Sequence, residues 1–138
     1  MLEALLRPRR VVHAHCDLPC GVYDPAQARI EAESVKAIQD RYANAEKFKT
    51  AGESVEDYRT RALAIKELRA DLVKDHLWVL WTDYFKPEHV EKYPQLHELF
   101  WNATKEAGAA KKSQDPGQGQ KLLDAIDEIA KVFWETKA

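Results

Sequence analysis

Apolar positions recur at intervals of three and four along most of this chain, and no stretch alternates with the period of two that a half-buried strand requires. Four helices follow from that spacing. The first opens at Asp24-Pro25-Ala26-Gln27, where Asp24 caps, Pro25 takes the first helical position and Gln27 can reach back as in a capping box. It runs to about Asn44, with Ala28, Ile30, Ala32, Val35, Ala37 and Ile38 as an apolar stripe and Arg29, Glu31, Glu33 and Lys36 as a polar one. Residues 44–53 are polar, contain Gly52 and read as a loop.

Ser54-Val55-Glu56-Asp57 opens the second helix, and Ala62, Ile65, Leu68, Leu72 and Val73 continue it at helical spacing. Residues 76–85 are then apolar nearly all round until Pro87 stops the helix. Such a segment must be covered on more than one side, which in a short chain favours subunit contacts beside an internal core. In the third segment Pro94 either kinks the helix or starts its main part. Leu96, Leu99, Phe100 and Ala103 face inward there, and Gly108 falls near the end. Residues 111–119 read as a polar loop in which Asp115-Pro116 repeats the cap-then-proline start. The last helix carries Leu122, Leu123, Ile126, Ile129, Val132 and Phe133. Helices of roughly 15–25 residues joined by short loops make an all-α, antiparallel four-helix bundle the expected fold.

Composition narrows the setting. A chain of 138 residues is one domain with room for a real core. A net charge of −2 predicts no broad basic face for nucleic acid, and no apolar run approaches the ~20 residues that span a bilayer. The two cysteines, four positions apart, cannot form a secreted disulfide framework, so a reduced, cytoplasmic location is expected.

The chemistry gathers ahead of the first helix. Residues 15–23, His-Cys-Asp-Leu-Pro-Cys-Gly-Val-Tyr, hold both cysteines and one of the five histidines, with Pro19 and Gly21 to set a turn. Residues 1–14 have a short apolar start followed by Arg7, Pro8, Arg9 and Arg10, the reverse of the order in a secretory signal. They read either as a plain tail or as a pro-segment cleaved after Ala14. Cleavage removes three Arg and one Glu, moves the net charge from −2 to −4 and makes His15 the N-terminus. The α-amine of His15, the amide nitrogen of Cys16 and the Cys16 thiolate then close two adjacent five-membered chelate rings, which force the donors toward a plane. Cys20 can supply a second thiolate, and the His15 imidazole can act as an axial ligand. Planar nitrogen and sulfur donation points to Ni(II) or Cu(II), and such donors make a higher oxidation state reachable. Taken alone, a Cys-x-x-x-Cys pair with one histidine also suits two ordinary cysteines or a transient disulfide. Zinc normally wants four protein ligands, which are not in view. His76, His89 and His97 are scattered along helices and read as surface or core residues, and His13 lies in the segment expected to be lost.

From residue 15 to residue 25 the sequence resembles nickel-containing superoxide dismutase, whose nickel hook reads His-Cys-Asp-x-Pro-Cys-Gly-x-Tyr. AQARIEAESVKAIQ, AIKELRA, LWTDYFKPEHVEKYPQLH and the closing FWETK extend the resemblance over nearly all of residues 15–138, and residues 1–14 resemble its short pro-sequences. The resemblance implies a homohexamer of four-helix bundles with one nickel per subunit. It also implies a reaction in which two superoxide anions and two protons give dioxygen and hydrogen peroxide as nickel cycles between its divalent and trivalent states. The implied metal residues are His15, Cys16 and Cys20. Glu31 and Arg69 match positions that hold the His15 imidazole, Tyr23 and Tyr84 match tyrosines beside the substrate pocket, and Asp17 and Pro19 match residues that shape the hook. A maturation peptidase must release His15, and with the leader still attached the hook is expected to be immature. Residues 44–54 look longer than the family needs. Two other readings use the same residues: a nickel or copper storage or delivery protein without turnover, and a helical module switched by a Cys16–Cys20 disulfide.

Overall fold

The computed structural model describes residues 20–138. Within them the chain forms α1 (Ala26–Ala43), α2 (Ala45–Phe48), α3 (Val55–Val79), a π-helical turn (Leu80–Tyr84), α4 (Pro87–Lys92), α5 (Leu96–Lys112) and α6 (Pro116–Lys137). The long helices α1, α3, α5 and α6 make the bundle. α1 packs on α3 and α6, and α5 packs on the same two from the opposite corner.

The helix starts follow the side chains that cap them. Asp24 Oδ1 accepts the Ala26 N–H at 2.8 Å, Ser54 Oγ accepts that of Asp57 at 3.0 Å, and Asp115 Oδ1 accepts that of Gly117 at 2.9 Å. Each satisfies a donor that the helix itself leaves unpaired. The loop expected at 44–53 contains the single helical turn α2, and the loop expected at 111–119 shrinks to the link between Lys112 and Pro116. Pro94 lies in the turn before α5, so it starts that helix rather than kinking it.

The core is the inward row of all four long helices, from Ala28, Ala32 and Val35 through Val73, Leu77, Phe100 and Ala107 to Leu122, Ile126, Ile129 and Phe133. Ala28, Ala32 and Val35 on α1 and Ala62 and Val73 on α3 are buried as expected, while other members of the two stripes lie off this face. On α1, Ile30 is 59% exposed and the inward row ends at the buried Gln39. On α3 the inward row is Ala62, Lys66, Ala70, Val73 and Leu77, while Ile65 and Leu68 remain 45% and 57% exposed.

At the end of α3 the ladder widens by one residue, with the Phe85 N–H bonding the Leu80 carbonyl at 3.1 Å. Lys86, which precedes Pro87, is held extended and cannot continue the helix. The widened turn brings Leu80, Trp81, Tyr84 and Phe85 all against the core. π-Helical turns are rare and frequent at functional sites, and this one carries Tyr84.

Candidate metal and substrate site

Of the residues expected to bind or shape the metal, Cys20 lies within the described part of the chain; His15, Cys16, Asp17 and Pro19 lie outside it. Cys20 is exposed at the entry to α1. Its Sγ accepts the Val22 N–H at 3.5 Å and lies 4.0 Å from the Val22 carbonyl oxygen. Gly21 between them has φ +69°, a left-handed conformation that glycine adopts without strain. A solvent-facing sulfur on a tight, N–H-donating turn, beside the nitrogen and sulfur donors of the adjoining sequence, fits a thiolate-liganded nickel. Among the described residues no three His, Cys, Asp or Glu side chains come together as a metal cluster.

The structure brings two of the expected pairs together. Arg69 on α3 donates from one guanidinium nitrogen to both carboxylate oxygens of Glu31 on α1, at 3.0 and 3.1 Å. The Glu31 side chain is only 13% exposed and that of Arg69 41%, so the pair is better shielded than a surface ion pair. It belongs to one chain, with Arg69 acting on Glu31 without crossing an interface. Glu31 sits about 7 Å along the axis from the start of α1 at a rise of ~1.5 Å per residue. Arg69 also borders an open groove of about 520 Å³ between α1 and α3, lined by Ile30, Ala37, Tyr58 and Ile65 among others.

Tyr23 and Tyr84 form the second pair, with ring centroids 5.6 Å apart. Both are partly buried against the core. Tyr84 is enclosed by Phe133 at 4.4 Å and Phe85 at 5.0 Å, by His89, nearly parallel to it, at 5.7 Å, and by the Lys137 ammonium 5.0 Å over its ring. His89, Phe133, Thr136 and Lys137 thus belong to this cluster, which sequence reasoning did not recognise. The stretches LWTDYFKPEHVEKYPQLH and FWETK carry them, but nothing in either spacing says that they meet. His97 is exposed and edge-on to Trp81, and His76 lies part-buried on α3.

The chain matches the family described as nickel-containing superoxide dismutase over residues 10–137. It belongs to that family. It is similar to the Superoxide dismutase [Ni] of Streptomyces coelicolor, at 58% identity over 99% of this chain and 98% of the relative. The similarity to that of Streptomyces seoulensis has the same extent. Among solved structures, a native nickel superoxide dismutase superposes with a TM-score of 0.80 and 59% identity, covering 90% of this chain and 100% of its own. As a nickel superoxide dismutase, the chain is an oxidoreductase that acts on superoxide and uses nickel. The four-helix bundle is the fold these relatives share.

Proposed function

We propose that superoxide is dismutated at one nickel per subunit, which the His15 α-amine and imidazole, the Cys16 amide and thiolate and the Cys20 thiolate would hold. The observation that carries this reading is the exposed Cys20 sulfur on the Gly21 turn, joined in sequence to the other donors. When bound, nickel supplies one-electron exchange with superoxide, so that one anion is oxidised to dioxygen and a second, with two protons, is reduced to hydrogen peroxide. The protein residues prepare that exchange. Val22 donates to the Cys20 sulfur. Glu31, itself fixed by Arg69, holds the His15 imidazole, as a ligating histidine generally requires. Asp17 and Pro19 shape the hook. Tyr23 and Tyr84 line the approach for a small anion and limit access to the thiolates, which peroxide would otherwise oxidise. Lys137 adds positive charge beside them, and local charge of this kind draws an anion toward a chain of negative net charge.

Residues 1–14 are a pro-segment that a maturation peptidase removes after Ala14. Two coverages support this: the Streptomyces coelicolor relative matches 99% of this chain, whereas the whole solved chain matches 90%, about the length of residues 15–138. The assembly is a homohexamer, supported by Ile30, Ile65, Leu68 and Trp78, each close to half exposed or more. The location is the cytoplasm, supported by the two closely spaced cysteines; no helix among the described residues is long and apolar enough to cross a membrane.

The test is superoxide decay after pulse radiolysis, with the nickel-loaded chain beginning at His15. Rapid decay is expected, lost together with thiolate-to-nickel absorption in Cys16→Ser and Cys20→Ser. Undiminished decay in either variant would contradict the assignment.

A further inference from the structure

Tyr84 is tethered by the last turn of α6. Its phenolic oxygen lies 2.6 Å from Thr136 Oγ1, and Thr136 Oγ1 lies 2.6 Å from the carbonyl oxygen of Phe133. A hydroxyl has one proton to give, and a carbonyl oxygen only accepts. The Thr136 proton therefore goes to Phe133, and Tyr84 is left as the donor in the bond to Thr136. We infer that Thr136 is a positioning residue for dismutation, which takes up the Tyr84 O–H and leaves the phenolic oxygen only lone pairs to offer any other partner.

The consequence is a definite role for Tyr84. A phenol committed in this way accepts a hydrogen bond from a protic species, such as water or departing hydrogen peroxide, and does not hand its own proton to superoxide. Phe133 and Phe85 fix the ring, so the acceptor stays where the tether sets it. This inference rests on the reading above that Tyr84 borders the substrate.

The direct test uses the full chain without nickel, carrying 13C at the ζ carbon of tyrosine, in mixed light and heavy water. A hydroxyl held in a part-buried hydrogen bond exchanges slowly and splits its Cζ signal into two lines. Two lines are expected for Tyr84 in the parent and in Thr136→Ser, and one averaged line in Thr136→Val. Two lines persisting in Thr136→Val would overturn the tether.

Superoxide decay by the nickel-loaded proteins tests the consequence. Thr136→Val should be about fivefold slower, the factor one ordinary hydrogen bond is worth, and Thr136→Ser should remain close to the parent. In a Tyr84→Phe background Thr136→Val should add nothing. A loss that serine does not rescue, or that persists in the Tyr84→Phe background, makes Thr136 merely structural. Full activity in Tyr84→Phe removes Tyr84 from the pocket and the inference with it, whatever the Cζ signal shows.

Discussion

Glu31 and Lys66 both set charge against burial, and they resolve the conflict differently. Glu31 is shielded but paired by Arg69. Replacing it by Gln keeps the shape and removes the charge, so Glu31→Gln should retain nickel while losing roughly 10–100-fold in superoxide decay, the usual scale for a partner of a ligating histidine; parent-like decay would refute its role. Lys66 is 1% exposed and donates to the Ser113 carbonyl and the Gln114 side chain, each at 2.5 Å. Burial pushes its ammonium below the ordinary value of 10.5. With a depressed folded pKa, the unfolded chain binds the proton more tightly, so the group costs stability at all pH values below that depressed pKa. The cost is relieved as pH rises from there toward 10.5. Urea melts of the parent and Lys66→Met should therefore show the parent gaining relative to the variant across that window. A constant difference would mean that the lysine pKa is not displaced.

At the scale of the element, what the sequence reveals depends on whether a helix face is marked by large side chains. α6 was legible because its inward row is Leu122, Leu123, Ile126, Ile129, Val132 and Phe133, all buried. α3 misled because its inward row holds two alanines and a lysine, while Ile65 and Leu68 sit on the neighbouring face. Spacing placed Ala62 and Val73 correctly on α3 and misplaced Ile65 and Leu68. Gly119 misled in another way. A glycine three residues after a proline in a polar stretch signals a loop, yet it lies inside α6 where that helix packs close against α1. A Cβ there would lie 2.7 Å from the Lys36 Cβ and 2.8 Å from its Cα, a clash with backbone that no rotamer change relieves. Gly119→Ala should accordingly destabilise the chain by about 1–3 kcal/mol, the usual cost of overpacking, despite alanine's better helix propensity. A thermal melt reads this directly, and an unchanged or raised midpoint would refute the close approach. The π turn at Leu80–Tyr84 was invisible because its exposed polar positions, Thr82 and Asp83, are too few to reveal a change of pitch.

At the scale of the molecule, the bundle is a platform, and the proposed metal residues His15, Cys16 and Cys20 stand at its N-terminal entry. That proposal rests on donor chemistry at short range, which local sequence states in full. The Tyr84 cluster depends on α6 returning to the end of α3, which local sequence does not state. In the proposed homohexamer, the apolar side chains outside the core are the surfaces that other copies of the chain cover. Leu68→Asp changes a residue 57% exposed in the single chain, so it should leave the fold within about 0.5 kcal/mol while native mass spectrometry shows the hexamer giving way to smaller species; an intact hexamer would place the contacts elsewhere. The central claim is that a single peptide cleavage creates the metal site. The direct measurement compares nickel binding, by calorimetry and by thiolate-to-nickel absorption, in the chain beginning at Met1 and the chain beginning at His15. One nickel per subunit with strong absorption is expected only in the second. Equal binding and equal superoxide decay in both forms would show that the α-amine of His15 is not a ligand.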